Sequence, residues 1–189
     1  LAAVAGFFPV MFFFIAFIIG LGAGASVLIG QAWGAREPER VKEVAGTTLT
    51  LALLGGATIA VFGGIFTRDL LIALATPANV LDAATDYARI MMIAIPATFA
   101  FLLLTSMMRG VGDTVTPLYA LAFSTAIGLV VTPALIQGWF GLPRLGVASA
   151  AYASATASVV TLCWLAIYMR RAKHALAPDR AFLRGMVPD

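Results

Sequence analysis

Five long stretches of this sequence contain no charged residue, and no other feature restricts the possible folds so strongly. They cover approximately residues 2–32, 45–66, 90–108, 117–137 and 146–169. A helix needs about 20 apolar residues to cross the hydrocarbon core of a membrane. Only 11% of the residues are charged and 61% are hydrophobic, whereas soluble domains are about 25% charged. The sequence therefore predicts an all-α integral membrane protein with five transmembrane helices and the lipid bilayer as its surroundings.

The basic residues between these stretches predict how the helices are oriented. Most of them lie in the connections 33–44 and 109–116 and in the basic tail 170–189, while the remaining connections contain only Arg68, Arg89 and Arg144. Connections rich in Lys and Arg stay on the cytoplasmic side of a membrane. We therefore expect both connections and the tail to be cytoplasmic. The net charge of +3 then reports topology, and no nucleic-acid partner is expected.

Small residues recur every four positions in three of the predicted helices, which indicates faces where another helix packs closely. They specify no substrate. The three sets are Gly22, Ser26, Gly30 and Gly34 in the first helix, Gly56, Ala60 and Gly64 in the second, and Gly146, Ala150, Ser154 and Ser158 in the fifth.

Proline residues mark predicted helix starts and bends. Thr76–Pro77 and Thr116–Pro117 each combine an N-cap residue with a proline at the first helical position. Pro96 and Pro133 lie inside predicted helices, where proline removes a backbone hydrogen bond and kinks the helix.

The pattern of reactive side chains argues against an enzyme and against a metal or other cofactor. The sequence shows no metal-ligand cluster, no carboxylate pair within a span, and no nucleophile beside a base. The only histidine, His174, lies in the basic tail with no adjacent acid, so we interpret it as a solvated residue and not as a proton carrier. An ionisable residue within the membrane usually marks an ion pathway. Any coupling carboxylate is therefore expected outside these five spans.

Thr125, Gly128 and Thr132 share one face of the fourth predicted helix and, with Pro133, could line a polar cavity. The alternative, which we favour, is that each threonine hydroxyl bonds a carbonyl of its own helix.

The polar break between the third and fourth helices is the most specific stretch of the chain. It reads Arg-Gly-Val-Gly-Asp-Thr-Val-Thr-Pro over Arg109–Pro117. Asp113 could pair with Arg109 or cap a neighbouring helix, but on its own it is more typical of a Gly-Asp turn that helps to set topology.

Three blocks in order resemble the amino-terminal half of MATE (multidrug and toxic compound extrusion) transporters. They are Gly24–Ala35, which contains Gln31 and Gly34; Arg109–Pro117, in which Arg109, Gly110, Gly112, Asp113, Thr114 and Pro117 carry the match; and Gly141–Ala148. The resemblance aligns the five helices with the second to sixth of a twelve-helix protein. It implies that the chain is a fragment, with five helices of a six-helix bundle and a tail that leads to a missing second bundle.

The resemblance also implies a function. Members of this family export amphipathic, often cationic organic compounds in exchange for H⁺ or Na⁺, by alternating access around a cavity between two bundles, and the cell's inner membrane is the expected location. Some members carry an Asn-x-x-x-Asp cation site in the fifth helix. Gly128 and Thr132 occupy the corresponding positions here, so the resemblance does not place that site in this chain.

Two other functions are compatible with parts of the sequence. A lipid-linked oligosaccharide flippase of the same superfamily would share the architecture, but it would use a more basic cavity than these spans provide. A non-transporting membrane scaffold subunit would explain the small-residue faces, but not the order of residues in Arg109–Pro117.

Overall fold

The protein is described by a computed structural model that covers residues 2–73, 76, 78, 80–137, 148–172 and 174–176. Within these ranges the chain forms helices and no strand, which confirms the predicted all-α class. All five helices are long and apolar enough to cross a membrane, with α1 assessed from Phe12 onward. The helices are α1 (Ala2–Gly34), α2 (Pro38–Ala73), α3 (Leu81–Gly110), α4 (Val115–Gln137) and α5 (Ala148–Arg171).

Two helices extend well beyond the apolar stretches that predicted them. The second was predicted over 45–66, but α2 includes the polar residues on both sides, and α3 begins at Leu81 although its apolar stretch begins at residue 90. The other helices end within two residues of the predicted limits. A helix continues past the hydrocarbon wherever its sequence and caps allow, so apolar length underestimates helix length.

α3 is the central helix of the bundle. It contacts each of the other four described helices, whereas α1 packs with α2 on one side and α4 packs with α5 on the other. Its long side chains are correspondingly buried, and those of Leu103, Met107 and Met108 have no exposed surface. Within the described residues, the α1–α2 pair makes no contact with the α4–α5 pair.

The small-residue faces predicted on α1 and α2 contact α3 at some of their positions, while a Cβ atom at Gly34 or Gly64 would meet nothing within 4 Å. The Ser106 hydroxyl donates a hydrogen bond to the Gly22 carbonyl over 2.9 Å. A Cβ atom at Gly30 would lie 3.2 Å from the Gly110 carbonyl oxygen, and one at Gly56 would lie 2.8 Å from the Cα of Pro96. These three glycines permit the close approach of two backbones, as expected for helix packing in a membrane.

The small-residue face predicted on α5 lies at a helix contact only at Ser158, whose hydroxyl is 3.5 Å from that of Thr98 in α3. Ala150 and Ser154 are exposed, and Gly146 lies outside the described residues. The buried face contains Ser149, Ala153 and Ala157 instead. Small residues occupy both adjacent sets of positions in this helix, so their spacing alone could not distinguish the packed face from the exposed one.

Thr76 does not cap α3. That helix begins at Leu81, and its N-cap residue, Val80, makes no side-chain capping bond. The Thr76 amide instead donates to the Leu71 carbonyl over 3.1 Å, a bond that closes the end of α2. Pro77 lies outside the described residues. The two prolines predicted to bend helices, Pro96 and Pro133, lie within α3 and α4, which continue through them.

Candidate functional site

The connection Arg109–Pro117 joins α3 to α4 with almost no intervening loop. The amide of Gly112 donates to the Arg109 carbonyl and that of Asp113 to the Met108 carbonyl, each over 3.0 Å. Gly112 has a φ of +85°, a left-handed conformation that glycine adopts without steric cost. Together these features form a Schellman motif, a common way to satisfy the last carbonyls of a helix.

Asp113 ends one helix and starts the next. Its Oδ1 accepts hydrogen bonds from the amides of Val115 over 3.1 Å and Thr116 over 3.0 Å, which is the bonding pattern of an N-cap residue. The prediction that Thr116 caps α4 is therefore wrong, because Thr116 is itself one of the capped residues. Pro117 lies in the first turn, where the missing N–H costs little.

Gly110 is required for a different reason, because it lies against α1. A Cβ atom at residue 110 would lie 2.6 Å from the Ser26 carbonyl oxygen and 3.2 Å from Ile29 Cγ2. Arg109 and Thr114, on the other hand, expose their side chains. The order of residues in this connection thus reflects helix packing, a left-handed turn and a helix cap in succession.

The side chain that contacts the second oxygen of Asp113 is His174, and not Arg109 as the sequence allowed. His174 Nε2 lies 3.2 Å from Asp113 Oδ2, and the side chains of His174 and Asp113 are 13% and 22% exposed. The interpretation of His174 as a solvated residue without an acid partner is therefore wrong. Sequence reasoning missed the pair because the fold brings together the end of α5 and the α3–α4 connection, which lie far apart along the chain.

The environment of Asp113 favours its ionised form. Partial burial works to raise the pKa of this carboxyl, but hydrogen bonds from Thr116, the nearby His174 and a further bond from Val115 outweigh that effect, so the pKa lies below its ordinary value. The carboxylate thus remains charged while it caps α4 and contacts His174.

Gln31 and Gly34 belong to a second Schellman motif, at the end of α1. The Arg36 amide donates to the Trp33 carbonyl over 3.1 Å, and the Glu37 amide donates to the Ala32 carbonyl over 3.0 Å. Here the left-handed residue is Arg36, with a φ of 61°. Gly34 faces open space, and exposed Gln31 lines a cavity of about 340 Å³ between the end of α1 and the start of α2.

The suggested cavity face of α4 is not enclosed by the described helices. Thr125 is exposed and donates a hydrogen bond to the Leu121 carbonyl over 2.9 Å, which confirms the favoured alternative for this residue. A Cβ atom at Gly128 would meet nothing within 4 Å, and Thr132 is half-buried. The polar cavity therefore remains a prediction.

Charge is concentrated at the two ends of the bundle. We call the end formed by the Schellman motifs of α1 and α3, the start of α2 and the end of α5 the basic end. Arg68 and Arg89 lie at the opposite end, where Arg68 pairs with Asp82 over 3.2 Å and Arg89 Nε donates to the Gly64 carbonyl over 3.2 Å. The described basic residues of the basic end are Arg36, Arg40, Lys42, Arg109, Arg170 and Arg171.

Comparison with other proteins gives concordant matches in sequence and structure. A family model described as MatE matches residues 1–134. The Probable multidrug resistance protein YoeA of Bacillus subtilis (strain 168) is 45% identical over 188 residues, which are 100% of this chain and 41% of that protein. The FAD transporter of Shewanella oneidensis is 29% identical over 182 residues, which are 96% of this chain and 40% of that protein.

Solved structures of a multidrug resistance MATE family transporter in outward-facing and inward-facing conformations match with TM-scores of 0.82 and 0.80. Each is 28% identical and the match covers 98% of this chain, but only 42% and 43% of the solved chains. This chain therefore spans about two fifths of the length of the proteins that it resembles.

Proposed function

Because the chain belongs to the MATE (multidrug and toxic compound extrusion) family, we propose that it is the amino-terminal part of a secondary antiporter. The chain is a multi-pass membrane protein of a transporter family and not an enzyme. In the proposed full-length protein, a second bundle completes the cavity, and amphipathic, often cationic organic compounds leave the cell in exchange for H⁺ or Na⁺. The basic end faces the cytoplasm, and the protein lies in the inner membrane.

The observation that carries this proposal is the near-equal match to two opposite conformations. The chain fits the outward-facing and inward-facing structures with TM-scores of 0.82 and 0.80. A helix arrangement that fits both conformations about equally well supports alternating access by movement of one half against the other.

The charge distribution limits what this half contributes to that cycle. The apolar centres of the five helices contain no Asp, Glu, Lys or Arg. A coupling proton or sodium ion, and a cationic substrate, would therefore find their carboxylate partners in the remainder of the full-length protein. This half would supply the packing, the polar hydroxyls and the rigid wall.

The test is a transport assay on the full-length protein that contains this chain. The protein is reconstituted into liposomes, and uptake of a panel of fluorescent organic cations is followed under an imposed pH gradient, a sodium gradient or neither. We expect gradient-dependent movement of at least one cation. No ion-driven movement of any member of a broad panel would contradict the proposal.

A second candidate substrate class follows from one relative, the FAD transporter of Shewanella oneidensis. FAD is anionic, and a half without acidic residues in the apolar centres of its helices would not repel an anion there. The same liposomes therefore also receive FAD. Movement of FAD without movement of cations would favour export of anionic cofactors by the same architecture.

A further inference from the structure

The segment that follows α5 turns back onto the bundle. After α5 ends at Arg171, the amide of His174 donates to the Met169 carbonyl over 3.0 Å and closes the end of the helix. The side chain of Leu176 is then completely buried and belongs to the hydrophobic core. The chain therefore remains attached to the bundle until at least Leu176.

His174 makes a polar contact on each side of its ring. Its Nδ1 accepts a hydrogen bond from the Leu176 amide over 3.2 Å, and its Nε2 lies 3.2 Å from Asp113 Oδ2. Because Nδ1 acts as an acceptor, the ring proton lies on Nε2, the nitrogen that faces the carboxylate. The ring thus links the α3–α4 connection to the backbone of the segment that contains Leu176.

A second contact joins the same two regions. The Thr116 hydroxyl donates to Tyr168 Oη over 3.4 Å, which connects the first turn of α4 with the last turns of α5. The Tyr168 ring stacks on Trp164, and Trp164 contacts Phe123 of α4, with ring centroids 5.7 Å and 5.5 Å apart. These contacts hold the end of α5 beside the start of α4, which places His174 within reach of Asp113.

We propose that Asp113, His174 and Leu176 form a latch that anchors the connection between the two halves of the transporter to the α3–α4 turn. This inference rests on the proposed function, because it assigns the chain beyond Leu176 to a second bundle. His174 is a positioning residue in this arrangement. It acts through Asp113 and touches neither substrate nor coupling ion.

The closed latch shortens the part of the chain that is free to extend between the two halves. If residues 172–176 were released, the connection would gain up to about 17 Å of reach, since an extended chain spans roughly 3.3–3.6 Å per residue. With the latch closed, movement of the second bundle is transmitted to the joint between α3 and α4. A released connection would absorb part of that movement, so the latch should affect the rate of conformational exchange and leave substrate binding unchanged.

The state of the latch can be measured without any transport assay. In full-length protein with Cys163→Ser and Leu176→Cys, the introduced thiol occupies a completely buried position. Labelling by a water-soluble maleimide in lipid nanodiscs then reports opening of the latch. His174→Ala should accelerate labelling about tenfold, because the contact with the charged Asp113 and the bond to the Leu176 amide are both lost. His174→Gln, which retains an N–H donor, should restore most of the protection.

Arg171→Ala is the matched control, because Arg171 is exposed and lies in the same part of the chain. It should leave the labelling rate unchanged. Equal labelling rates for the parent protein and His174→Ala, or an equal increase with Arg171→Ala, would overturn the latch itself. The labelling result is independent of transport, so it stands even if the proposed function fails.

The coupling role is tested by transport kinetics in the protein that keeps Leu176. His174→Ala should lower the maximal rate about fivefold and leave KM within about twofold, because a conformational step is slowed and binding is not. His174→Gln should recover most of the rate. Faster labelling with an unchanged maximal rate would overturn the coupling role, and a raised KM at an unchanged maximal rate would indicate a role in binding instead.

Discussion

Gly110, the last residue of α3, lies directly against the backbone of α1 at Ser26. A Cβ atom at residue 110 would come within 2.6 Å of the Ser26 carbonyl oxygen, closer than nonbonded atoms tolerate. Because a backbone atom cannot move aside as a flexible side chain can, Gly110→Ala must displace α1 from α3. We expect the free energy of unfolding to fall by about 1–3 kcal/mol, measured by thermal unfolding of the purified protein in detergent.

Gly34→Ala is the matched control for this prediction. Gly34 has the same position in the Schellman motif of α1 as Gly110 has in that of α3, but a Cβ atom there would meet nothing within 4 Å. Alanine should be tolerated at residue 34. Equal losses for both variants would show that the capping motif, and not the approach to Ser26, requires glycine.

Arg36 and Gly112 occupy equivalent left-handed positions, with φ of 61° and 85°. This conformation costs a non-glycine residue about 1 kcal/mol or more. Arg36→Gly should therefore be more stable than Arg36→Ala, which loses the same charge, while Gly112→Ala should be less stable than the parent. The melting temperatures of the parent and the three variants provide the check. A lower melting temperature for Arg36→Gly than for Arg36→Ala would contradict the strain at this position.

The hydrogen bond from Ser106 to the Gly22 carbonyl joins α3 to α1 over 2.9 Å. Bonds between helices in a membrane contribute about 0.6 kcal/mol on average and up to about 1.7, so Ser106→Ala should destabilise the bundle by an amount in this range. Ser154→Ala is the control, because the exposed Ser154 bonds only to the Ala150 carbonyl of its own helix. The prediction fails if both variants unfold at the same denaturant concentration.

Two substitutions of Asp113 separate its role as a cap from its role as a charge. Asn is also a good N-cap residue, so Asp113→Asn should retain the cap of α4 and lose the charged contact with His174, whereas Asp113→Ala loses both. We therefore expect the order of stability to be parent, Asp113→Asn, Asp113→Ala. Either substitution should reduce expression, stability or transport rate more than substrate selectivity. A changed drug spectrum at normal expression and unchanged turnover would disprove this assignment.

The lowered pKa of Asp113 means that the contribution of its carboxylate to stability depends on pH. A carboxyl whose folded-state pKa lies below its unfolded value stabilises the fold at pH values above the unfolded pKa, and this stabilisation is lost as the pH falls through the folded value. The stability difference between the parent and Asp113→Asn should be full at neutral pH and shrink below about pH 4. Melting curves of both proteins across this range test the sign; a difference that grows on acidification would contradict it.

The sequence predicted the number and type of helices because each apolar stretch meets a simple physical requirement, namely enough length to cross a bilayer. It also located the small-residue contacts of α1 and α2 with α3. The face of α5 could not be located in the same way, since Ser149 and Ala150 are both small, and only the neighbouring helix determines which of them is buried.

Helix caps were predicted less well, for a related reason. Thr76 and Thr116 have the right chemistry for an N-cap, but a cap also depends on where the preceding helix ends. At the start of α4 the N-cap residue is Asp113, because the left-handed Gly112 ends α3 immediately before it. The contact of Asp113 with His174 depends on how α5 packs, so no local pattern in the sequence could have indicated it.

The uncharged centres of the five helices have a consequence for energetics in a living cell. Moving one elementary charge across a membrane potential of 100 mV changes the free energy by about 2.3 kcal/mol. Since the charged side chains of the described helices lie towards the ends of the bundle, rocking this half would carry almost no gating charge through the field. Any voltage dependence of the full transporter should therefore originate in its cargo, its coupling ion and the other half.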